Sequence, residues 1–448
     1  MLQDIVLRLP YPLKNLVFSL YGFRLIRSRK RNLEKYIDEF IAFDALSSAQ
    51  QDEVRESEMQ KMLLHARMHV PFYRKHWNLN PGGDASRLEN WPVITKQDIR
   101  GNEEAFIADG YRKDELIPIS TSGTSGTPMK FFFDADSYAR WYALYYYRLL
   151  IKNGIHLDDD VWANFGGRII CPASQSGPPF WIYNSPMRQL YLSSYHISDN
   201  NLPHYISILE TKKVVYIVGY PSSIYALARY IVQYKVKHSI RLKAVFTNAE
   251  PLFDFQREAI TAAFGCRVVQ TYGSSEFALA ASEDEEGRMA IWLQSGILEV
   301  AKPDTKGCGE FLVSGLVNKA MPLIRYQIGD SGTVEPCVTY PRFIQSIEGR
   351  TDDIIYSPSG RFIGRLDPIF KNELKIKEAQ IIQEAPGRIC FLVVKEEGYS
   401  EKEETLLKAE AEKRLGTEFQ LELRYTDKIP RTANGKFKAV VSKITKHA

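Results

Sequence analysis

Five cysteines, Cys171, Cys266, Cys308, Cys337 and Cys390, stand far apart in a chain of 448 residues. With no close pair among them, neither a disulfide framework nor a CxxC zinc site is written here, and a reducing, cytoplasmic setting is expected. Also missing is any run of the roughly 18 apolar residues that a membrane-spanning helix needs. The best stretch, residues 214–232, is broken by Pro221 and carries Arg229, so integral membrane association is not expected. An apolar run at residues 16–23 follows Asp4 and Arg8 and has no small-residue cleavage site after it, which argues against a secretory signal. Charge of one sign is scarce: 58 Lys and Arg against 54 Asp and Glu leave a net +4. That is too little to hold nucleic acid by bulk charge. Internal repeats and low-complexity tracts are absent. At 44% hydrophobic and 25% charged residues, the composition excludes disorder and predicts ordinary globular domains, two or three of them at roughly 150 residues each.

The first hundred residues read as helices. Leu13, Leu16, Val17 and Leu20 recur at spacings of three and four, and Arg24, Arg27, Arg29, Lys30 and Arg31 follow them. This segment is expected to be a surface helix packed on the core with a solvated basic end; the alternative is an interfacial membrane anchor, so peripheral association stays open. From Ile117 onward short buried strands, such as residues 214–218 and 243–246, alternate with helices, which predicts layered α/β architecture. Past Gly349 the texture changes. Residues 380–384 and 388–395 alternate like antiparallel strands joined through Ala385, Pro386 and Gly387, and an amphipathic helix follows at 401–415. The expected division is a large α/β domain over 1–349, with a mainly helical lead-in over 1–100, and a small α+β domain over 350–448.

The most informative stretch is Ser120-Thr121-Ser122-Gly123-Thr124-Ser125-Gly126-Thr127-Pro128-Met129-Lys130, after the extended residues 116–119. Its hydroxyls and backbone N–H groups suit phosphate oxygens, and Lys130 adds charge, although GxxxxGK[ST] is absent. Taken alone, such a tract is more often a flexible linker. Four further stretches accompany it: Tyr272-Gly273-Ser274-Ser275-Glu276, then residues 326–330 ending in Gly329-Asp330, then Gly349-Arg350-Thr351-Asp352-Asp353, and Pro430-Arg431-Thr432-Ala433-Asn434-Gly435-Lys436. At these residues the sequence resembles the adenylate-forming superfamily of acyl-CoA synthetases, luciferases and peptide-synthetase adenylation domains, with all five signatures in order and at the family's spacing. Val70-Pro71-Phe72-Tyr73-Arg74 and Trp91-Pro92-Val93-Ile94-Thr95-Lys96 resemble the phenylacetate-CoA ligase branch. Gly360-Arg361-Phe362-Ile363-Gly364-Arg365-Leu366-Asp367 and Lys377-Glu378-Ala379-Gln380 are similar to the CapK-type members, which are linked with surface-polysaccharide gene clusters.

The resemblance implies ATP-dependent chemistry in which a carboxylate attacks the α-phosphate, so charge builds on phosphoryl oxygens. It implies Lys436, Glu276 and Thr121 as catalytic residues. ATP or AMP would be held by Ser122, Gly123, Thr124, Ser125, Gly126, Thr127 and Lys130, and by Ala249, Glu250, Tyr272, Gly273, Ser274, Ser275, Asp330 and Arg350. Tyr272 offers a face for adenine, Asp330 accepts from the ribose hydroxyls, and Glu276 supplies a hard oxygen for Mg²⁺. Each has a plain structural reading too: a core tyrosine, a turn aspartate before Ser331-Gly332, a helix-start carboxylate. Asp352 matches the hinge about which a mobile small domain swings between half-reactions. Arg168, Trp181, Tyr183, Gly219 and Tyr220 are expected at the acyl pocket, where Arg168 could pair with a second carboxylate of the substrate; aromatic residues of a large core are the alternative.

The expected activity is activation of a small-molecule carboxylic acid as acyl-AMP with release of pyrophosphate, then transfer to coenzyme A. The alternative acceptors are a carrier-protein thiol or the amine or hydroxyl of a sugar precursor in surface-polysaccharide biosynthesis. A catalytically inactive scaffold of the same fold is a third reading, which the presence of Glu276, Asp330 and Lys436 opposes. Neither the acid nor the oligomeric state is written in the sequence.

Overall fold

The computed structural model describes residues 9–80, 82–120, 129–172, 175–337, 339–350, 355–356, 362–363, 375–415, 418–431 and 437–444. Four helices lead in: α1 (Tyr11–Arg29), α2 (Leu33–Asp44), α3 (Ser48–His69) and α4 (Pro71–Leu79). Local signals set their ends. Ser47 and Gln50 form a reciprocal capping box at the start of α3, and Pro71, with no N–H to leave unpaired, opens α4.

A hairpin of β1 (Ile117–Ser120) and β2 (Lys130–Phe133) comes next, followed by α5 (Ala135–Tyr145), whose N-cap Asp134 accepts from the N–H groups of Asp136 and Ser137. The chain then lays down β3 (Trp162–Gly166), β4 (Trp181–Asn184), β5 (Gln189–Ser193), α6 (Leu202–Thr211), β6 (Tyr216–Gly219), α7 (Pro221–Gln233), β7 (Ala244–Thr247), α8 (Asp254–Phe264), β8 (Arg267–Gly273), β9 (Ala280–Glu283), β10 (Met289–Ile291), β11 (Gly296–Ala301), β12 (Gly309–Gly315), β13 (Tyr326–Val334) and β14 (Phe343–Arg350). All but the first hairpin join one twelve-stranded sheet in the order β11-β12-β13-β14-β10-β9-β8-β7-β6-β3-β5-β4.

That sheet has two characters. β5, β3, β6, β7 and β8 are parallel neighbours, and β6 and β7 are buried at every position, as strands covered on both faces must be. Ile217, Val245 and Val268 face a core under α6, α7 and α8. Tyr216, Val218, Ala244 and Phe246 face the opposite layer with Tyr36, Phe40 and Trp141 from α2 and α5. The remaining strands are antiparallel, and β8 is the junction: residues 267–270 run parallel to β7 and residues 271–273 antiparallel to β9.

After short strands β15 (Ile355–Tyr356) and β16 (Phe362–Ile363), a separate sheet forms from β17 (Ile376–Ala385), β18 (Arg388–Lys395), β19 (Gln420–Tyr425) and β20 (Val440–Ser442), ordered β19-β18-β17-β20. Helix α9 (Glu401–Leu415) covers it, with Leu407, Ala411 and Leu415 buried against Ile381, Phe391 and Val393. The molecule is thus α/β with a small C-terminal α+β unit. The hairpin expected at 380–395 is present with β17 four residues longer at its start, and the helix has the expected bounds.

Candidate functional site

Strands β3, β6 and β7 end side by side at Gly166, Gly219 and Thr247, and β8, beside Thr247 at Gln270, runs on to Gly273. Ligands of open α/β sheets sit beyond such carboxyl ends, where helices begin and backbone groups are free. Gly219 is needed for this closeness, since a Cβ on it would meet the backbone oxygen of Phe165 at 2.4 Å.

Beyond β8, Tyr272 donates its hydroxyl hydrogen to Asp330 Oδ2 at 2.9 Å, and the ring of Phe311 stands edge-on to it at 6.3 Å. Asp330 lies opposite Arg350 in the register of β13 and β14. Glu276 is only 6% exposed, and its Oε1 accepts from the hydroxyl of the fully buried Tyr326 at 3.2 Å. Tyr326 also packs against Phe131 of β2, with ring centroids 6.2 Å apart, while Phe133 packs on Phe277 at 5.3 Å. The first hairpin is thereby fixed beside Glu276. Ser120 and Lys130 pair across its base, so the segment between them is anchored at both ends, and Lys130 stands exposed there. Thr121, Ser122, Gly123, Thr124, Ser125, Gly126 and Thr127 lie outside the described residues, as do Asp352 and Lys436; of Arg350 only the backbone is described.

Beyond β7, exposed Ala249 adopts φ 64°, a conformation L-residues rarely take, and it turns the chain so that Glu250 points back across the strand ends. Glu250 Oε2 accepts from the N–H of Ser222 at 3.1 Å, and Oε1 accepts from the N–H of Phe437 at 2.7 Å. Burial pushes the Glu250 carboxyl up, and the N–H groups of Phe437 and Ser222 act against that. Phe437 belongs to the small sheet's side of the molecule, so Glu250 ties the two parts together. Arg229 of α7 makes a second such tie, to Glu396 at 3.2 Å.

Two hydroxyl oxygens here are buried with no hydrogen-bond partner among the described residues: Thr247 Oγ1 and Ser274 Oγ. Such groups cost stability unless something fills their bonds. Standing at neighbouring strand ends, they fit a ligand rich in donors and acceptors, as a nucleotide is. The Glu276 carboxylate, one oxygen held by Tyr326, suits Mg²⁺, which commonly takes one or two carboxylates and draws its other ligands from phosphates and water. No group of three or more His, Cys, Asp or Glu is gathered for a metal among the described residues.

Of the residues expected at the acyl pocket, Arg168 and Tyr220, the latter next to Gly219, both neighbour Tyr191, while Trp181 and Tyr183 lie apart from them. Tyr220 is buried, which raises its hydroxyl pKa well above the ordinary value, and the Glu250 carboxylate adds to the rise, as do tyrosines 191 and 195. Those two also hold the loop after β3: Tyr191 Oη accepts from the N–H of Arg168 at 3.3 Å, and Tyr195 donates to the carbonyl of Gly167 at 2.9 Å. The Arg168 side chain is exposed between the rings of Phe18 and Tyr191. Trp181 packs edge-on against Tyr205. Tyr183 lies under the Lys212 ammonium at 4.1 Å, beside α1, where its N–H donates to Asn15 Oδ1. Trp181, Tyr183 and Tyr220 therefore do not form one wall. Sequence reasoning missed Phe437, Tyr191 and Tyr195, which carry no motif, and Tyr326, which sat inside one.

Residues 355–443 match the family of CapK C-terminal domains. Protein CapK of Staphylococcus aureus is 32% identical over 369 residues, covering 80% of this chain and 81% of that protein. Phenylacetate-coenzyme A ligase of Pseudomonas putida is 24% identical over 335 residues, 70% of this chain and 74% of its own length. Among solved structures, 2-hydroxyisobutyryl-CoA ligase in the postadenylation state, in complex with R3-HIB-AMP, shares the fold with a TM-score of 0.69 at 22% identity, over 89% of this chain and 90% of that one.

Proposed function

The chain belongs to the CapK family, and from that premise we propose that it is an AMP-forming carboxylate ligase that makes an acyl-AMP and passes the acyl group to the thiol of coenzyme A. In the first half-reaction a carboxylate oxygen bonds to the α-phosphorus of ATP as the bond to the β,γ-pyrophosphate breaks, and pyrophosphate leaves. In the second, the thiol sulfur bonds to the acyl carbon, its proton is lost, and AMP departs with the electron pair of the broken acyl–oxygen bond.

The observation that most supports this reading is the contact of the Phe437 N–H with Glu250. It brings the residue directly after Lys436 to the strand ends where Tyr272, Asp330 and Glu276 gather, the approach a lysine needs to offset the charge of two converging anions. Tyr272 and Asp330 hold adenosine, and the hydroxyls of Thr247 and Ser274 take up its remaining bonds. Lys130, exposed on the first hairpin, meets the phosphates, and the family resemblance assigns residues 121–127 the same task. Glu276 would hold Mg²⁺, which would supply neutralisation of the phosphate charge.

ATP–pyrophosphate exchange over a panel of aryl, aliphatic and amino acids tests the adenylation, and exchange with none of them would sink it. Thioester formation from the active acid with and without coenzyme A then tests the acceptor. Dependence on a carrier-protein thiol or a sugar amine instead would keep the first half-reaction and replace the second.

A further inference from the structure

Helix α1 has two apolar faces, and only one is used. On the inner face, Gly22 lies so close to Asn184 of β4 that a Cβ would come within 2.1 Å of its Oδ1. Ser19 Oγ accepts from the N–H of Ser185, Phe18 and Leu25 join the core, and Arg29 Nη2 reaches the hydroxyl of Tyr142 at 2.8 Å. The helix is therefore docked. On the outer face Leu13, Leu16, Val17, Leu20, Tyr21 and Phe23 remain exposed, Leu20 by 59% and Phe23 by 63%. At helical spacing, Leu13, Leu16, Val17, Leu20, Arg24 and Arg27 share one stripe, about 20 Å long at 1.5 Å per residue. Arg24, Arg27 and Arg31 are exposed with no ion pair to another described residue, whereas Lys30 is taken by Asp158. Residues 9–33 contain no Asp or Glu.

We propose that this outer face lies on the surface of an anionic phospholipid bilayer. A stripe of large apolar side chains continuing into exposed arginines matches the layering of acyl chains beneath phosphate headgroups, and arginines near such a surface find the counter-charge that the described residues do not give them. A second copy of the chain fits less well, because the segment offers no carboxylate to meet its partner's arginines. The helix rests on the interface and does not cross, since no described helix is long and apolar enough to span a membrane. The inference is independent of the acid or acceptor proposed above.

The test is co-sedimentation of the full chain with vesicles of phosphatidylcholine alone or mixed with phosphatidylglycerol. Binding is expected only to the anionic vesicles, weakened by high salt because screening cuts exposed charge attraction. Leu16→Ser with Leu20→Ser should lower partitioning about tenfold or more by removing insertable apolar surface. Arg24→Glu with Arg27→Glu should abolish the preference for anionic lipid. Circular dichroism and gel filtration of both variants establish that they fold, as exposed positions allow. No binding of the parent protein to anionic vesicles at low salt, or equal binding by the variants, would overturn the proposal. So would a parent dimer that the leucine substitutions dissociate, which would assign the face to a second copy.

Discussion

Glu276 and Asp330 each reach the site already held by a tyrosine, and that sets what their loss should do. Glu276→Gln keeps an acceptor for the Tyr326 hydroxyl but removes the charge suited to Mg²⁺, so the fold should stand while ATP–pyrophosphate exchange falls by about 10²–10³-fold, the scale of one lost transition-state electrostatic contact. Tyr326→Phe removes only the hydroxyl and should cost less, roughly 1 kcal/mol. If Glu276→Gln exchanges at the parent rate, that carboxylate is a buried turn residue between β8 and β9 and nothing more. For the second pair, Tyr272→Phe leaves the ring and removes its hydrogen bond to Asp330 Oδ2, and the expected effect is a rise of up to about tenfold in the KM for ATP with kcat little changed, from one lost hydrogen bond. An unchanged KM would mean that the hydroxyl does not position Asp330 for the nucleotide. Both motifs containing these residues were legible, because adenylate chemistry concentrates Gly, Ser, Glu and Asp in short loops. The pairings were not: Tyr272 was named for its ring rather than as a donor to Asp330, and Tyr326 lies 50 residues from Glu276, a pairing made by strand order alone.

Asp44, the last residue of α2, links the helical lead-in to the layer beneath the sheet. It accepts from both terminal nitrogens of Arg148 at 2.9 and 2.8 Å and from the hydroxyl of Tyr147 at 2.9 Å, and Lys152 reaches the same carboxylate. Burial pushes the Asp44 carboxyl up, but Arg148 and Lys152 outweigh it and hold the group below the ordinary value of 3.8. A carboxyl depressed in the folded state stabilises the fold above its unfolded pKa and loses that contribution as pH falls through the folded one. Asp44→Asn should therefore lower stability by about 1–3 kcal/mol at pH 7, with the deficit shrinking below pH 4. Thermal melts of both proteins across that range would show it, and a pH-independent difference would assign the loss to packing. The helices and the buried parallel strands were legible from periodicity and apolar runs. The orientation of α1 was not. Phe18 and Leu25 inside and Leu16 and Leu20 outside give it no single apolar side, so the sequence favoured a packed surface helix without saying which side packs, and burial identifies the side of Phe18 and Leu25.

At the scale of the whole molecule, the large sheet and the small one meet through Glu250 with Phe437 and Arg229 with Glu396. Neither contact was legible, since each joins residues more than 160 positions apart and involves a backbone N–H or an ordinary surface charge. If these ties favour the orientation that serves adenylation, they should matter to one half-reaction only. In Glu250→Gln the side-chain nitrogen cannot accept, so either the Ser222 or the Phe437 N–H is left unpaired, at a cost of about 1–3 kcal/mol. ATP–pyrophosphate exchange should fall roughly ten- to hundredfold by the same estimate, while transfer to the acceptor from supplied acyl-AMP is retained. Lys436→Ala should give the same pattern more strongly, about 10²–10³-fold in exchange, because it removes charge from the reacting anions rather than one docking bond. Arg229→Ala, a partly exposed ion pair, should fall below both. The ranking is the critical part. If Glu250 holds ATP directly, its variant will raise the KM for ATP and leave the Arg229 variant without any parallel effect; if it acts as a tie, the two variants will lower exchange together at saturating ATP, and an equal loss of both half-reactions in verified folded protein would remove the orientation argument altogether.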